Sequence, residues 1–401
     1  MNGFLESAVS LRSIPSSVVA LGFVSLFMDV SSEMIHSLLP VFLVSVLGAS
    51  ALSVGFIEGI AEATASITKI FSGVVSDWVG RRKPLLLLGY GMAALTKPVF
   101  PLADTLGSVL LARFLDRIGK GVRGAPRDAL VAEVTPPDLR GAAFGLRQSM
   151  DTVGAFAGPA LAMLLMVLSG DDFRLVFWIA VVPAFIAVAV ILFAVHEPDR
   201  EPSSEPRRFP IRRDQLRRLD ATFWGVVAMA AVLTLARFSE AFLLLRAQSV
   251  GVEDAYAPLV LIVMNVVYAV SAYPLGRLAD RLDRRNLLAL GVGLLVLADL
   301  VLAAAGSVLV VLAGAALWGL HMGATQGLLA VFVADATPAD LRGTGFGLYN
   351  LMTGIALLAS SALAGLLWTA VGPDATFLAG ATFSLVALVG LLTILPRRKR
   401  L

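Results

Sequence analysis

Two unrelated motifs recur in this chain at nearly the same offset, and no other feature restricts the fold as much. The first, Gly73-Val-Val-Ser-Asp77-Trp-Val-Gly80-Arg81-Arg82-Lys83, returns 203 residues later as Gly276-Arg-Leu-Ala-Asp280-Arg-Leu-Asp283-Arg284-Arg285. The second, Val131-Ala-Glu-Val-Thr-Pro-Pro-Asp-Leu-Arg-Gly-Ala-Ala-Phe-Gly-Leu146, matches Val333-Ala-Asp-Ala-Thr-Pro-Ala-Asp-Leu-Arg-Gly-Thr-Gly-Phe-Gly-Leu348 at 11 of 16 positions with an offset of 202. Independent repeats at one spacing divide the chain into two parallel halves.

The surroundings of the first motif say what the halves are made of. An apolar run precedes Gly73, and another begins directly at Pro84. A helix that leaves a membrane and turns straight back has this form. Glycine permits close packing, aspartate sits where the helix emerges, and the cations stay in the anionic surface layer. Composition agrees: 58% of the 401 residues are hydrophobic and only 15% are charged, against roughly 25% charged in soluble domains. The chain reads as an all-α polytopic membrane protein.

Twelve spans of sufficient length follow, near 18–47, 51–76, 84–104, 107–125, 141–169, 174–195, 221–248, 255–278, 287–305, 308–334, 343–371 and 374–395. Between the sixth and seventh, prolines at 198, 202, 206 and 210 exclude an ordinary helix. The stretch Ile211-Arg-Arg-Asp-Gln-Leu-Arg-Arg-Leu219 after them suits a membrane surface. The expected organisation is therefore an N-terminal six-helix bundle over 1–195, a cytoplasmic linker over 196–220 and a C-terminal six-helix bundle over 221–401.

Charge sets the orientation. Arg81–Lys83, Arg140, the 200–218 segment, Arg281–Arg285, Arg342 and Arg397–Arg400 all fall on one side, while the opposite loops hold little beyond Arg174 and Arg246. The positive-inside rule then places both termini in the cytoplasm. The first 17 residues lack a small-residue cleavage site, so the N-terminus is expected to be retained. A nucleic-acid surface is excluded because the cations are dispersed among apolar spans. With no cysteine and three histidines, thiolate and zinc chemistry are not expected. No nucleophile–base set, phosphate loop or cofactor motif appears.

The eleven residues from Gly73 resemble the cytoplasmic signature loop between the second and third helices of the major facilitator superfamily. The copy at Gly276 resembles the loop between its eighth and ninth helices. Arg117-Ile-Gly-Lys120-Gly121 resembles the fourth-helix signature of proton-coupled members, with lysine where glutamine is usual. Gly154-Ala-Phe-Ala-Gly158-Pro159 resembles the fifth-helix glycine–proline signature of drug/proton antiporter-like exporters, without its later glycines. The resemblance covers the whole chain. It implies twelve transmembrane helices in two pseudo-symmetric bundles that rock about a site near mid-membrane.

Ionisable residues inside spans are the candidate functional groups, since each is costly unless paired or hydrated. Asp29, Glu33 and His36 share one face of the first span, as do Glu58, Glu62 and Lys69 on the second. Arg113, Asp116, Arg117, Lys120 and Arg123 form a stripe on the fourth. Arg237 and Glu240 lie at comparable depth on the seventh, and His321 and Gln326 on the tenth; Lys97, Asn265 and Asp299 are more isolated. The resemblance places the first, fourth, seventh and tenth helices around the cavity. It implies proton coupling through Asp29, Glu33 and Arg117. A substrate cavity is expected at His36, Glu58, Glu62, Arg113, Asp116, Lys120, Arg237, Glu240, His321 and Gln326. Conformational gating is expected at Gly73, Asp77, Gly80, Arg81, Arg82, Asp280 and Arg284, with Gly154, Gly158 and Pro159.

The function expected from this reading is secondary active transport of a small organic solute by alternating access, as proton-coupled efflux. Its partners are the solute, protons and the lipid bilayer, with no cofactor, metal or nucleic acid. The protein is expected as a monomer in a bacterial inner membrane. Proton-coupled import of an organic anion is the alternative, and a non-transporting receptor with the same fold is another.

Overall fold

The computed structural model describes residues 14–79, 81–137, 139–197, 218–281, 283–338 and 341–394. Among the described residues the helices group into twelve consecutive stretches, the candidate spans. The first six are Ser16–His36 continued by Leu39–Ser45, Ala51–Val79, Lys83–Thr96 continued by Val99–Leu102, Leu106–Val134, Arg140–Ser169 and Phe173–Ala194. The last six are Ala221–Ala236 continued by Ala241–Ser249, Leu259–Arg281, Arg284–Ala303, Val308–Asp335, Arg342–Ala370 and Pro373–Ile394. No strand occurs among the described residues.

Ten of these spans are long and apolar enough to cross a membrane. The second and fourth fall short because they carry the buried charges. Each is nonetheless 29 residues long, about 44 Å at the α-helical rise, which exceeds the thickness of a ~30 Å hydrocarbon layer. Large apolar side chains such as Phe193, Leu309 and Val371 face outward, as a lipid-facing surface requires.

The spans depart from the expected uninterrupted helices in three places. The first breaks after His36, the third at Lys97–Pro98, and the seventh over 237–240. Pro98 explains the second break, because it cannot donate a backbone hydrogen bond. The breaks in the first and seventh spans lie about one repeat offset apart and open both helices at the same depth. The fourth span runs on through Pro126 to Val134, beyond the expected end near 125. The charges at 123–128 therefore lie inside the helix and meet lateral partners, as described below.

The second half repeats the packing of the first with every partner shifted by six. The first span packs on the fifth and sixth, the second on the fourth, and the third on the fourth and sixth. The seventh packs on the eleventh and twelfth, the eighth on the tenth, and the ninth on the tenth and twelfth. The register is kept to the residue: Gly89 abuts Arg123, and Gly291 abuts Thr325, each partner displaced by 202.

The halves meet mainly through the second and eleventh spans. Gly365 lies on Ala51 and Leu52, Gly55 on Ser361, Gly59 on Leu358 and Gly354 on Ser66. The fifth and eighth spans meet more sparsely, with Asn265 Nδ2 donating to the Ala155 carbonyl at 3.4 Å. At the end remote from the Arg81–Lys83 turn, Gln248 Nε2 donates to Ser45 Oγ at 2.7 Å and ties the two halves together.

Candidate functional site

The broken first and seventh helices border a cavity of about 370 Å³ between the halves. Glu33, His36, Glu58, Glu62, Ser66, Arg117, Lys120 and Ala155 line it from the first six spans. Thr234, Arg237, Phe238, Ser239, Glu240, Asn265, Trp318, Thr353 and Leu357 line it from the last six.

The first-half wall is a chain of charges built by helical spacing. Glu33 and His36 lie one turn apart, and His36 Nδ1 is 3.4 Å from Glu33 Oε2. The other ring nitrogen, Nε2, lies 3.5 Å from Glu58 Oε2 on the second span. That same oxygen accepts from Arg113 Nη2 at 2.5 Å. One turn along both helices, Arg117 Nη1 lies 3.1 Å from Glu62 Oε1. Behind them, Lys97 Nζ donates to Asp116 Oδ1 and to Ser32 Oγ, both at 3.0 Å. The break at Lys97–Pro98 turns this lysine inward. Buried charges persist only when paired in this way, yet Glu58 Oε1 and the Nε atoms of Arg113 and Arg117 still lack hydrogen-bond partners.

The opposite wall is sparser. Arg237 and Glu240 on it, and Lys120 on the first-half wall, make no ion pair among the described residues. Phe238 and Trp318 pack as a tilted pair with ring centres 5.6 Å apart and form an apolar corner. Carboxylates, cations and aromatic rings thus face one space, which suits a solute with both charged and apolar parts.

The fifth span holds the first in place. A methyl group on Gly154 would lie 2.8 Å from Asp29 Cβ, and one on Gly158 would lie 2.6 Å from Glu33 Cβ. Only hydrogen fits at these crossings, so the glycine–proline motif backs directly onto the two acids of the first span. Below the cavity, Arg147 Nη1 donates to Asp151 Oδ2 at 2.8 Å, and Arg127 Nη1 donates to Ser25 Oγ at 3.0 Å. Arg127 Nε also donates to Asp128 at 3.3 Å, and Arg123 lies over the Tyr90 ring at 4.6 Å. At the basic end, Arg82 bonds Ser76 and lies 3.8 Å from Glu133. Glu197 accepts from the backbone amides of Arg82 and Lys83, capping the third span.

The structure gathers Glu33, His36, Glu58, Glu62, Arg117, Lys120, Arg237 and Glu240 around one cavity. Arg113 and Asp116 stand behind the lining and hold it. Asp29 lies outside the lining and makes no ion pair among the described residues. His321 is buried, with Nδ1 2.7 Å from the Gly291 carbonyl and Nε2 unpartnered. Arg81 is exposed. Gly80 and the side chains of Asp77, Asp280, Arg284 and Gln326 lie outside what is described, as does the setting of Gly73. Residue-type reasoning passed over Ser66, Phe238, Trp318 and Thr353. Their types are ordinary for helix packing, and only the breaks in the first and seventh spans bring them to a cavity. Among the described residues, no group of three histidine, aspartate or glutamate side chains is arranged to hold a metal.

Comparison with known proteins follows the geometry. The family model described as Major Facilitator Superfamily matches residues 21–246 and 238–401. An uncharacterized MFS-type transporter of Methanocaldococcus jannaschii is 32% identical over 386 residues, covering 94% of each chain. The multidrug resistance protein MdtH of Proteus mirabilis is 29% identical over 166 residues, 41% of this chain and 38% of that one. The crystal structure of the nucleoside transporter NupG superposes with a TM-score of 0.78 at 14% identity, over 95% of this chain and 100% of that one. A peptide transporter POT structure gives 0.76 at 15% identity, over 96% of each.

Proposed function

The chain belongs to the major facilitator superfamily and is an integral membrane transporter, not an enzyme; we propose that it exports a small organic solute in exchange for protons. The two six-span halves, 1–195 and 221–401, rock about the cavity and expose it to each side in turn. The protein acts as a monomer in a bacterial inner membrane with both termini cytoplasmic.

One observation carries the proton coupling. His36 stands between two carboxylates, 3.4 Å from Glu33 and 3.5 Å from Glu58, and Glu58 is also held by Arg113. Adding or removing one proton in this chain changes which neighbours attract. The Glu33 end opens on the cavity, so solute and proton compete there. Arg117, bound to Glu62, is the cation released or retained as that competition is decided. Gly154, Gly158 and Pro159 let the fifth span follow the first. The Gly73–Lys83 turn and its copy at Gly276 lock the basic end when the cavity faces the other way, through Asp77, Gly80, Arg81, Arg82, Asp280 and Arg284. The partial similarity to multidrug resistance proteins supports the outward direction.

Purified protein in liposomes loaded with a pH-sensitive dye tests the proposal. A panel of drugs, organic acids and zwitterions is added under an imposed proton gradient. Solute flux opposite to proton flux, abolished in Glu33→Gln and Arg117→Ala, is expected. Co-directional fluxes would instead favour proton-coupled import of an organic anion, the reading that the unpaired Lys120 and Arg237 support. Solute binding without any flux would point to a receptor.

A further inference from the structure

The proton path proposed above does not use Asp299. This acid, in the ninth span, is completely buried, and both of its carboxyl oxygens lack any hydrogen-bond partner among the described residues. By the repeat offset of 202 it occupies the position of Lys97, and Trp318 occupies that of Asp116. The first half fills this place with an ion pair at 3.0 Å; the second half fills it with a carboxyl group and an indole.

Among the described residues, no opposite charge reaches Asp299 from the elements packed around it. On the tenth span, His321 is engaged through Nδ1 with the Gly291 carbonyl, two turns away. On the seventh, Arg237 and Glu240 line the cavity, and Arg246 binds the Leu302, Ala303 and Ala305 carbonyls at the far end. On the twelfth, Asp374 pairs with Arg246. A carboxylate without cation or donor in such a place is too costly to hold, and the group is kept as the neutral acid.

Its surroundings connect it to the transport cavity. A methyl group on Gly380 would lie 2.8 Å from Asp299 Oδ2 and 3.0 Å from Phe238 Cε1, so carboxyl and ring meet at that notch. Phe238 and its neighbour Trp318 line the cavity on their other side. A two-ring wall therefore separates the acid from cavity water. Ser384 Oγ, one turn from Gly380, and Trp318 Nε1 are buried without partners as well. These are the groups that an entering water would bond.

We propose that Asp299 is a second proton-binding site, in the C-terminal half, that exchanges with the cavity when the Phe238–Trp318 wall opens. The step moves one proton: the carboxylic O–H breaks, the proton passes to cavity water, and the carboxylate left behind is solvated by water, Ser384 and Trp318. On return to the closed state the carboxylate must regain a proton before it is buried again.

The test uses full-length protein in detergent, without solute, and a pH dye as the probe. An acid-to-alkaline step should release one proton more from the wild type than from Asp299→Asn. Infrared difference spectra should show a protonated carboxyl band vanish in the wild type and be missing in the variant. Phe238→Ala, which keeps Asp299 and breaches the wall, should speed that release several-fold. Equal proton counts in wild type and Asp299→Asn, with the carboxyl band unchanged by the step, would overturn the proposal and leave Asp299 a fixed neutral acid. If Asp299→Asn fails to fold, the Phe238→Ala kinetics decide: an unaltered release rate overturns it.

Discussion

Placed on one register, the two halves share a packing plan and differ in chemistry. Arg113 and Arg117 of the first half correspond, 202 residues on, to Ala315 and Gly319, and Glu58 and Glu62, at the offset of 203 that the second span follows, to Leu261 and Asn265. In the first half, the second and fourth spans are held together by the Glu58–Arg113 and Glu62–Arg117 pairs across their crossing. In the second half, Gly319 presses directly on the Met264 backbone, where a methyl group would come within 2.2 Å of the carbonyl oxygen. The same helix crossing is therefore a charged seam opening on the cavity in one half and a close backbone contact, with the uncharged Asn265 at its cavity edge, in the other. The halves share one frame, and the ion pairs that line the cavity wall belong to the first of them.

The strongest way to break this comparison is to give the first half the second half's residues. Arg113→Ala alone strands Glu58, which has no exposure, and removing one member of a buried pair costs about 3–5 kcal/mol. The double change Glu58→Leu with Arg113→Ala installs the combination found at 261 and 315. It should recover most of that loss, because two buried charges are removed together. Thermal unfolding in detergent measures both. A double variant no more stable than the single one would mean that the seam needs its charges for structure, and the two crossings would not be interchangeable. Proton-coupled flux should be absent from both variants.

The reverse exchange is smaller in effect. Gly319→Ala drives a methyl group into the Met264 carbonyl, backbone against backbone, and neither helix can yield without moving its neighbours. A loss of about 1–3 kcal/mol is expected. Ala61→Gly in the second span, also buried, should act only through helix propensity, at about 1 kcal/mol. Similar unfolding shifts for the two would show that the second-half crossing is less tight than the geometry indicates.

Much of this was legible in the sequence. The nearly equal offsets of the two motifs exposed the duplication, and apolar periodicity placed most span boundaries. Helical spacing put Glu33 with His36, and Glu58 with Glu62, on common faces. The pairing was not legible, since Lys97 reaches Asp116 only because the third span breaks beside Pro98. The break in the first span is signalled by Pro40, at the start of the resumed helix, whereas that in the seventh has no proline beside it. Both breaks decide which polar residues meet the cavity. Asp299 looked isolated because its setting becomes clear only once Lys97 and Asp116 are known to touch.

The two cations remote from the basic end provide the finest comparison, because the halves solve one problem with different residues. Each half turns a corner after its third helix, at 101–103 and at 303–305, and each corner leaves helix-end carbonyls without partners. In the first half, Arg174 of the sixth span donates to the Pro101 and Ala103 carbonyls at 2.6 and 3.1 Å and pairs with Asp104 at 2.7 Å. In the second half, Arg246 of the seventh span donates to the Leu302, Ala303 and Ala305 carbonyls at 2.9–3.0 Å and pairs with Asp374 at 2.7 Å. The Arg174 side chain is 40% exposed and that of Arg246 8%, so water can replace the first far more easily than the second. Arg246→Met should therefore lower stability by about 2 kcal/mol through unsatisfied buried carbonyls. Arg174→Met should cost under about 1 kcal/mol, because solvent screens its pair and reaches its acceptors. Unfolding midpoints of the two single variants and the double variant measure the difference. Equal losses would mean that exposure does not set the strength of these corners, whereas an additive double variant would show that each half closes its own corner independently of the other.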